Sequence, residues 1–126
     1  MRPTGTQAGS QTGAALARSG LAAELKVSAR LGIPRNAGSP RVTVPGTGPG
    51  GYRVPDFDPK LTMLARGSVV EVKALQNLSV TPQLRDLVNY AKSQGVPLEI
   101  FTNAALPKTG ELANWIKAGQ VIISPL

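Results

Sequence analysis

Short apolar runs alternate with helix punctuation through the second half of this 126-residue chain. Val69 to Ala74 is dense in β-branched residues and reads as a strand. Thr81 and Pro82 then open a helix, Thr81 offering a capping hydroxyl and Pro82 suiting the first helical turn. Leu84, Leu87, Val88 and Ala91 recur at the helical period, and Gly95 ends the pattern. Pro97 to Thr102 is a second strand. Thr109 to Ala118 is a second helix with Leu112, Trp115 and Ile116 inward and Gly119 as its cap. Gln120 to Ser124 is a final strand. Strands that alternate with helices need crossover connections, which favour right-handed parallel pairing. An α/β fold follows.

The first half is looser. Residues 1–12 are rich in Gly, Ser, Thr and Gln and read as a flexible leader or linker. Ala14 to Leu31 is expected to be helical, with Leu16, Leu21, Leu25, Val27 and Leu31 as its apolar stripe and Gly32 and Pro34 as its stop. Residues 34–51 are dense in Pro and Gly, with Arg41 to Val44 as a short strand. Tyr52 to Val54 is another, Pro55-Asp56 turns the chain, and Leu61 to Ala65 is a third short apolar run ended by Gly67-Ser68. These early strands, joined by turns, suit antiparallel pairing. The expectation is a small mixed sheet flanked by helices. It forms a single domain over 13–126, with a loosely defined part at 13–50 and a motif-bearing core at 51–126.

The chain has no cysteine and no histidine. Disulfides, thiolate zinc sites, thiol nucleophiles, Ser-His-Asp triads and histidine bases are therefore excluded. Catalysis, if present, runs on carboxylates, lysine, tyrosine or a metal. The net charge is +7, and it is uneven. Residues 1–55 carry seven basic side chains against the single acid Glu24, whereas residues 56–126 are nearly balanced. A basic surplus favours a polyanionic partner such as nucleic acid. No apolar run is long enough for a membrane span, and no membrane partner is expected.

Acids are scarce, seven in all, and three fall close together in the sequence: Asp56, Asp58 and Glu71. Asp56 sits on a turn. Glu71 and Lys73 lie two apart in a strand, so they emerge on one face while Val70 and Val72 point to the other. Asp56 and Glu71 are hard oxygen ligands suited to Mg²⁺ or Mn²⁺, with Zn²⁺ a poorer match, and the Val72 carbonyl is a candidate third ligand. A cation there would polarise a phosphodiester and acidify water. Lys73 would orient that water and offset developing negative charge. Asp58 rivals Asp56 as the first ligand, with the Pro55-Asp56 context favouring Asp56. The bland alternative for Glu71 and Lys73 is an ion pair on a solvated strand.

Pro55-Asp56 and Glu71-Val72-Lys73 resemble the motif of the PD-(D/E)xK nuclease superfamily, which implies a restriction-endonuclease-like αβββαβ core. From Gly51 onward the resemblance is closer. Tyr52 to Asp56, Val70 to Lys73, Thr81 to Asp86, and Leu112 to Gly119 before Val121 to Ile123 look like the restriction-endonuclease-fold toxins of bacterial polymorphic toxin systems. Such a resemblance implies a nuclease that attacks DNA, or tRNA, as an antibacterial effector. It implies a larger carrier polypeptide or secretion apparatus, action in the target-cell cytoplasm after secretion or injection, and a cognate immunity protein. It also gives Gln83, in the helix after the strand, a place near the metal centre, and makes Glu24 in the first helix a possible further acid. Tyr90, on nearly the same face as Gln83, reads as packing or substrate contact.

Arg53, Lys60, Arg66, Arg85 and Lys92 are candidate phosphate contacts, though each alone also reads as a surface charge. Two rival functions remain open from sequence: a non-catalytic basic nucleic-acid-binding or adaptor domain, and a DNA-repair or mobile-element nuclease.

Overall fold

A computed structural model describes residues 13–126; the leader expected at 1–12 lies outside the described residues. The elements are α1 (Gly13–Leu31), β1 (Val44–Pro45), β2 (Tyr52–Arg53), α2 (Pro59–Arg66), β3 (Val69–Val72), α3 (Pro82–Ser93), β4 (Leu98–Phe101), α4 (Glu111–Lys117) and β5 (Val121–Ser124). The α/β class expected from the alternation holds. The two pairing modes are both present, in separate sheets. β1 and β2 form an antiparallel ribbon with Val44 opposite Arg53, and β3-β4-β5 form a parallel sheet in that order.

The run at Leu61 to Ala65 is helical, which corrects the strand expected there. Its flanks explain why. The Asp58 side chain accepts the Lys60 N–H at 3.0 Å, Pro59 occupies the first turn, and Gly67 at φ 69° closes the end by donating to the Met63 carbonyl at 2.9 Å. Cap, proline and left-handed glycine together outweigh the four apolar residues of that run. The apolar residues do not form a buried strand face, since Leu64 is 88% exposed.

β3 and β4 are buried on both faces, as parallel strands usually are, whereas Ile122 of β5 is 44% exposed. On one side Val69, Leu98, Ile100 and Val121 meet Leu84, Leu87, Val88 and Ala91 of α3 and Leu112 of α4. On the other, Val70, Val72 and Phe101 meet Ala23 and Val27 of α1, with Ile33 and Phe57. The α1 stripe is thus shifted. Ala23 and Val27 point inward, while Leu21 and Leu25, expected inside, are 43% and 53% exposed on the opposite side. Positions 23, 27 and 31 follow one helical row, whereas 21 and 25 sit about half a turn away from it.

Glu99 of β4 is buried on the α1 side, where an isolated charge would be costly. Arg66 grips it at 2.8 and 2.7 Å, and Ser68 and Ser124 donate at 3.0 and 2.7 Å. Burial pushes its carboxyl up, but these hydrogen bonds outweigh burial and leave it below the ordinary range. The Arg66 guanidinium also lies 5.4 Å from the Phe101 ring centroid. Arg66 thus ties α2 to the sheet, alongside the packing of buried Thr62 and of Met63 against the core.

Candidate active site

Parallel pairing determines where β3 presents its backbone. The Val69 and Lys73 amides donate to Pro97 and Phe101 on the β4 side. By strand alternation, the amide of Val72 faces the open edge of the sheet. Asp56 fills that edge: its Oδ2 accepts the Val72 N–H at 2.8 Å. The loop bearing Asp56 is itself fixed. Phe57 is fully buried beside it, and Asn36 donates its backbone N–H to the Asp56 carbonyl at 2.8 Å and its side-chain amide to the Pro55 carbonyl at 2.9 Å.

Glu71 is buried, with 2% exposure. Its Oε1 accepts the Asp56 N–H at 3.4 Å, and its Oε2 lies 3.4 Å from the Lys73 Nζ. The three residues picked out by sequence therefore converge, and Glu71 and Lys73 share a side as strand alternation requires. Burial of Glu71 removes the reading as an ion pair on a solvated strand. Its carboxyl is pushed well above its ordinary value by burial, then by the Asp56 charge, with Lys73 offsetting part of the effect. Glu24 belongs to the same neighbourhood. Burial raises it first and Asp56 second, while Arg35, bonded to it at 3.0 Å, and Arg41 pull the other way.

Among the described residues no three acidic side chains come together closely enough to hold a metal ion by themselves. The donor chemistry still fits a hard divalent cation. Two carboxylates forced together, one of them buried and reluctant to ionise, are in the condition a cation relieves. Mg²⁺ commonly takes only one or two protein carboxylates and keeps its waters.

Several other sequence candidates are engaged with partners of their own. Asp58 caps α2. Gln83 lies in the first turn of α3, partly buried, and among the described residues no hydrogen bond joins it to Asp56, Glu71 or Lys73. Tyr90 packs against the core on the α3 side of the sheet. Arg53 is bound to Asp86 at 2.7 Å, Arg66 to Glu99, and Arg85 to Glu111 at 2.9 Å. Lys60 and Lys92 are exposed. Lys92 borders a shallow cavity of about 230 Å³ with Gly95, Val96 and Gly119, where β4 and β5 begin, whereas the acids gather where β3 ends. Sequence reading passed over Arg35 and Asn36. An Asn in a Pro/Gly-rich stretch signals a turn, but nothing in its neighbours signals bonds to residues as distant as Pro55.

Comparison with protein-family models matches residues 23–109 to restriction endonuclease fold toxin 7, Tox-REase-7. The chain belongs to this family. The matched span exceeds half the chain and includes Glu24, Asp56, Glu71, Lys73 and Gln83; it ends before α4. The restriction-endonuclease-like fold expected from the motif is therefore the fold of this toxin family. Searches of curated proteins and of solved structures returned no match.

Proposed function

We propose that this domain is a metal-dependent endonuclease, acting on DNA or alternatively on tRNA, and the toxic part of an antibacterial effector. The observation that carries the reading is the meeting of Asp56, Glu71 and Lys73 at the β3 edge in a chain of a toxin family. Asp56 and Glu71 would hold Mg²⁺ or Mn²⁺, with the Val72 carbonyl as a further donor on the same edge. Such an ion supplies Lewis-acid polarisation of a phosphoryl oxygen and acidification of water. Lys73, whose Nζ lies 3.4 Å from Glu71, would stabilise negative charge on the phosphoryl oxygens. Burial of Glu71 keeps these interactions in a low-dielectric setting, where each counts for more. Delivery by a larger carrier or secretion apparatus, action in the target-cell cytoplasm and restraint by a cognate immunity protein complete the proposal.

The direct test incubates supercoiled plasmid and total tRNA with the protein in Mg²⁺, Mn²⁺ or EDTA. Nicking or tRNA fragments in either metal, abolished by EDTA, are expected, and the substrate cut identifies the nucleic acid. Salt-sensitive binding with no cleavage in any metal would replace the nuclease with a basic nucleic-acid-binding domain.

Asp56 and Asp58 separate cleanly in the same assay. Asp58→Ala removes a helix cap and should cost about 1 kcal/mol in chemical denaturation, leaving cleavage at or near the wild-type rate. Asp56→Ala should lose cleavage by about 100-fold or more. Equal rates in the two variants would place the first ligand elsewhere.

A further inference from the structure

Phosphodiester recognition needs cations beyond the one beside the reacting group, because substrate register is held by neighbouring phosphates. Most of the guanidinium groups among the described residues are already engaged. Arg35 is bound to Glu24, Arg53 to Asp86 and Arg66 to Glu99, and Arg30 donates to the Pro125 carbonyl at 2.7 Å. Arg41 is different. It is exposed and has no carboxylate partner among the described residues. Its guanidinium is near enough to Glu24 to favour that acid's charged form.

The Asn36 side chain ties the chain around Arg41 to the Asp56 loop, beside the pairing of β1 with β2. Asn36 donates its amide to the Val42 carbonyl at 2.8 Å and accepts the Val42 N–H at 2.9 Å. The same amide donates to the Pro55 carbonyl at 2.9 Å, and the Asn36 backbone donates to the Asp56 carbonyl. Asn36 satisfies backbone groups of both segments at once and so fixes one against the other. We propose that Arg41 is a phosphate-contacting residue of this site, presented by an Asn36 clamp that ties it to the Asp56 loop. Arg41 meets a phosphate of the bound strand beside the one being cleaved. Asn36 is a positioning residue.

The inference rests on the nuclease reading, and its test keeps the two apart. Steady-state cleavage of a labelled DNA duplex and of a tRNA transcript is measured for wild type, Arg41→Ala, Arg41→Lys, Asn36→Ala and the Arg41→Ala/Asn36→Ala double variant. Anisotropy with the same nucleic acids in Ca²⁺ across a salt series gives binding. Arg41→Ala should raise KM about tenfold, the larger part of its loss appearing there rather than in kcat. It should also lower the salt slope of binding by about one. Arg41→Lys should recover most of the affinity, because the point charge is kept. Asn36→Ala should raise KM in the same way, and the double variant should be no worse in KM than the worse single one. Wild-type KM and an unchanged salt slope in Arg41→Ala would overturn the proposal even where wild type cleaves well. Absence of cleavage by wild type would sink the nuclease reading alone, since the binding series still decides whether Arg41 meets phosphate.

Discussion

Glu71→Gln is expected to lose at least about 100-fold in cleavage rate while folding at least as stably as wild type at neutral pH. The substitution keeps shape and volume and removes one charge from a buried pair. In the wild type, burial and the Asp56 charge raise the folded-state pKa of Glu71 well above its ordinary 4.5. A raised carboxyl favours folding while it is protonated. That contribution is complete below 4.5 and is lost as pH climbs through the folded-state value. Glu24, raised by burial and by Asp56, works in the same direction. Asp86 and Glu99 work in the opposite sense: both sit below their ordinary values, and their contribution is lost as pH falls.

Wild-type stability should therefore decline as pH rises above 4.5, and Glu71→Gln should flatten much of that decline. Denaturation midpoints of both proteins from pH 4.5 to 8 give the comparison. Mg²⁺ should raise the wild-type midpoint at pH 8 by binding the folded state, and should do little for the variant. A variant that cuts at the wild-type rate, or that is less stable at pH 8, contradicts the site. An inactive but stabilised protein is the signature of strain kept for function.

Arg66→Ala is expected to cost about 3 kcal/mol of stability, because it strips the paired cation from a buried carboxylate and leaves Glu99 to two serine hydroxyls. The loss should appear in urea or guanidinium titration as a lower midpoint. Affinity for DNA or tRNA, measured where the variant is fully folded, should stay near wild type. A stable variant with weakened nucleic-acid binding would return Arg66 to the phosphate-contacting role that its charge suggests in sequence. Arg66→Ala/Glu99→Leu should regain part of the stability, since a buried pair replaced by apolar groups is often no worse than the pair itself.

The contrast between these residues shows what the sequence makes legible. Glu71 and Lys73 could be read because their relation is local: two residues apart in a strand, they share a side whatever the rest of the chain does. Asp56 was legible through the motif and its turn. The second-half elements carried their own boundaries in Thr81-Pro82, Gly95 and Gly119. The helix over Pro59–Arg66 was announced by Asp58-Pro59 and Gly67, and the apolar content between them drew the reading toward a strand. Side-chain partners across the fold left no local trace. Arg53 and Arg66 each find an acid 33 positions away, so their charges looked free. Asn36 is the clearest case, because its partners are backbone carbonyls and an N–H that every residue possesses. Only the assembled fold brings those groups to it.

One oxygen of Asp56 is committed to the backbone of Val72, along the side of β3 that no neighbouring strand covers among the described residues. That carboxylate is therefore also a plug against strand-to-strand self-association. Without an acceptor at position 56 the Val72 N–H on that edge would be left unpaired. Asparagine there keeps the plug, whereas alanine opens it. Asp56→Asn should therefore purify as a single species, while Asp56→Ala should self-associate, as size-exclusion chromatography of the two would show.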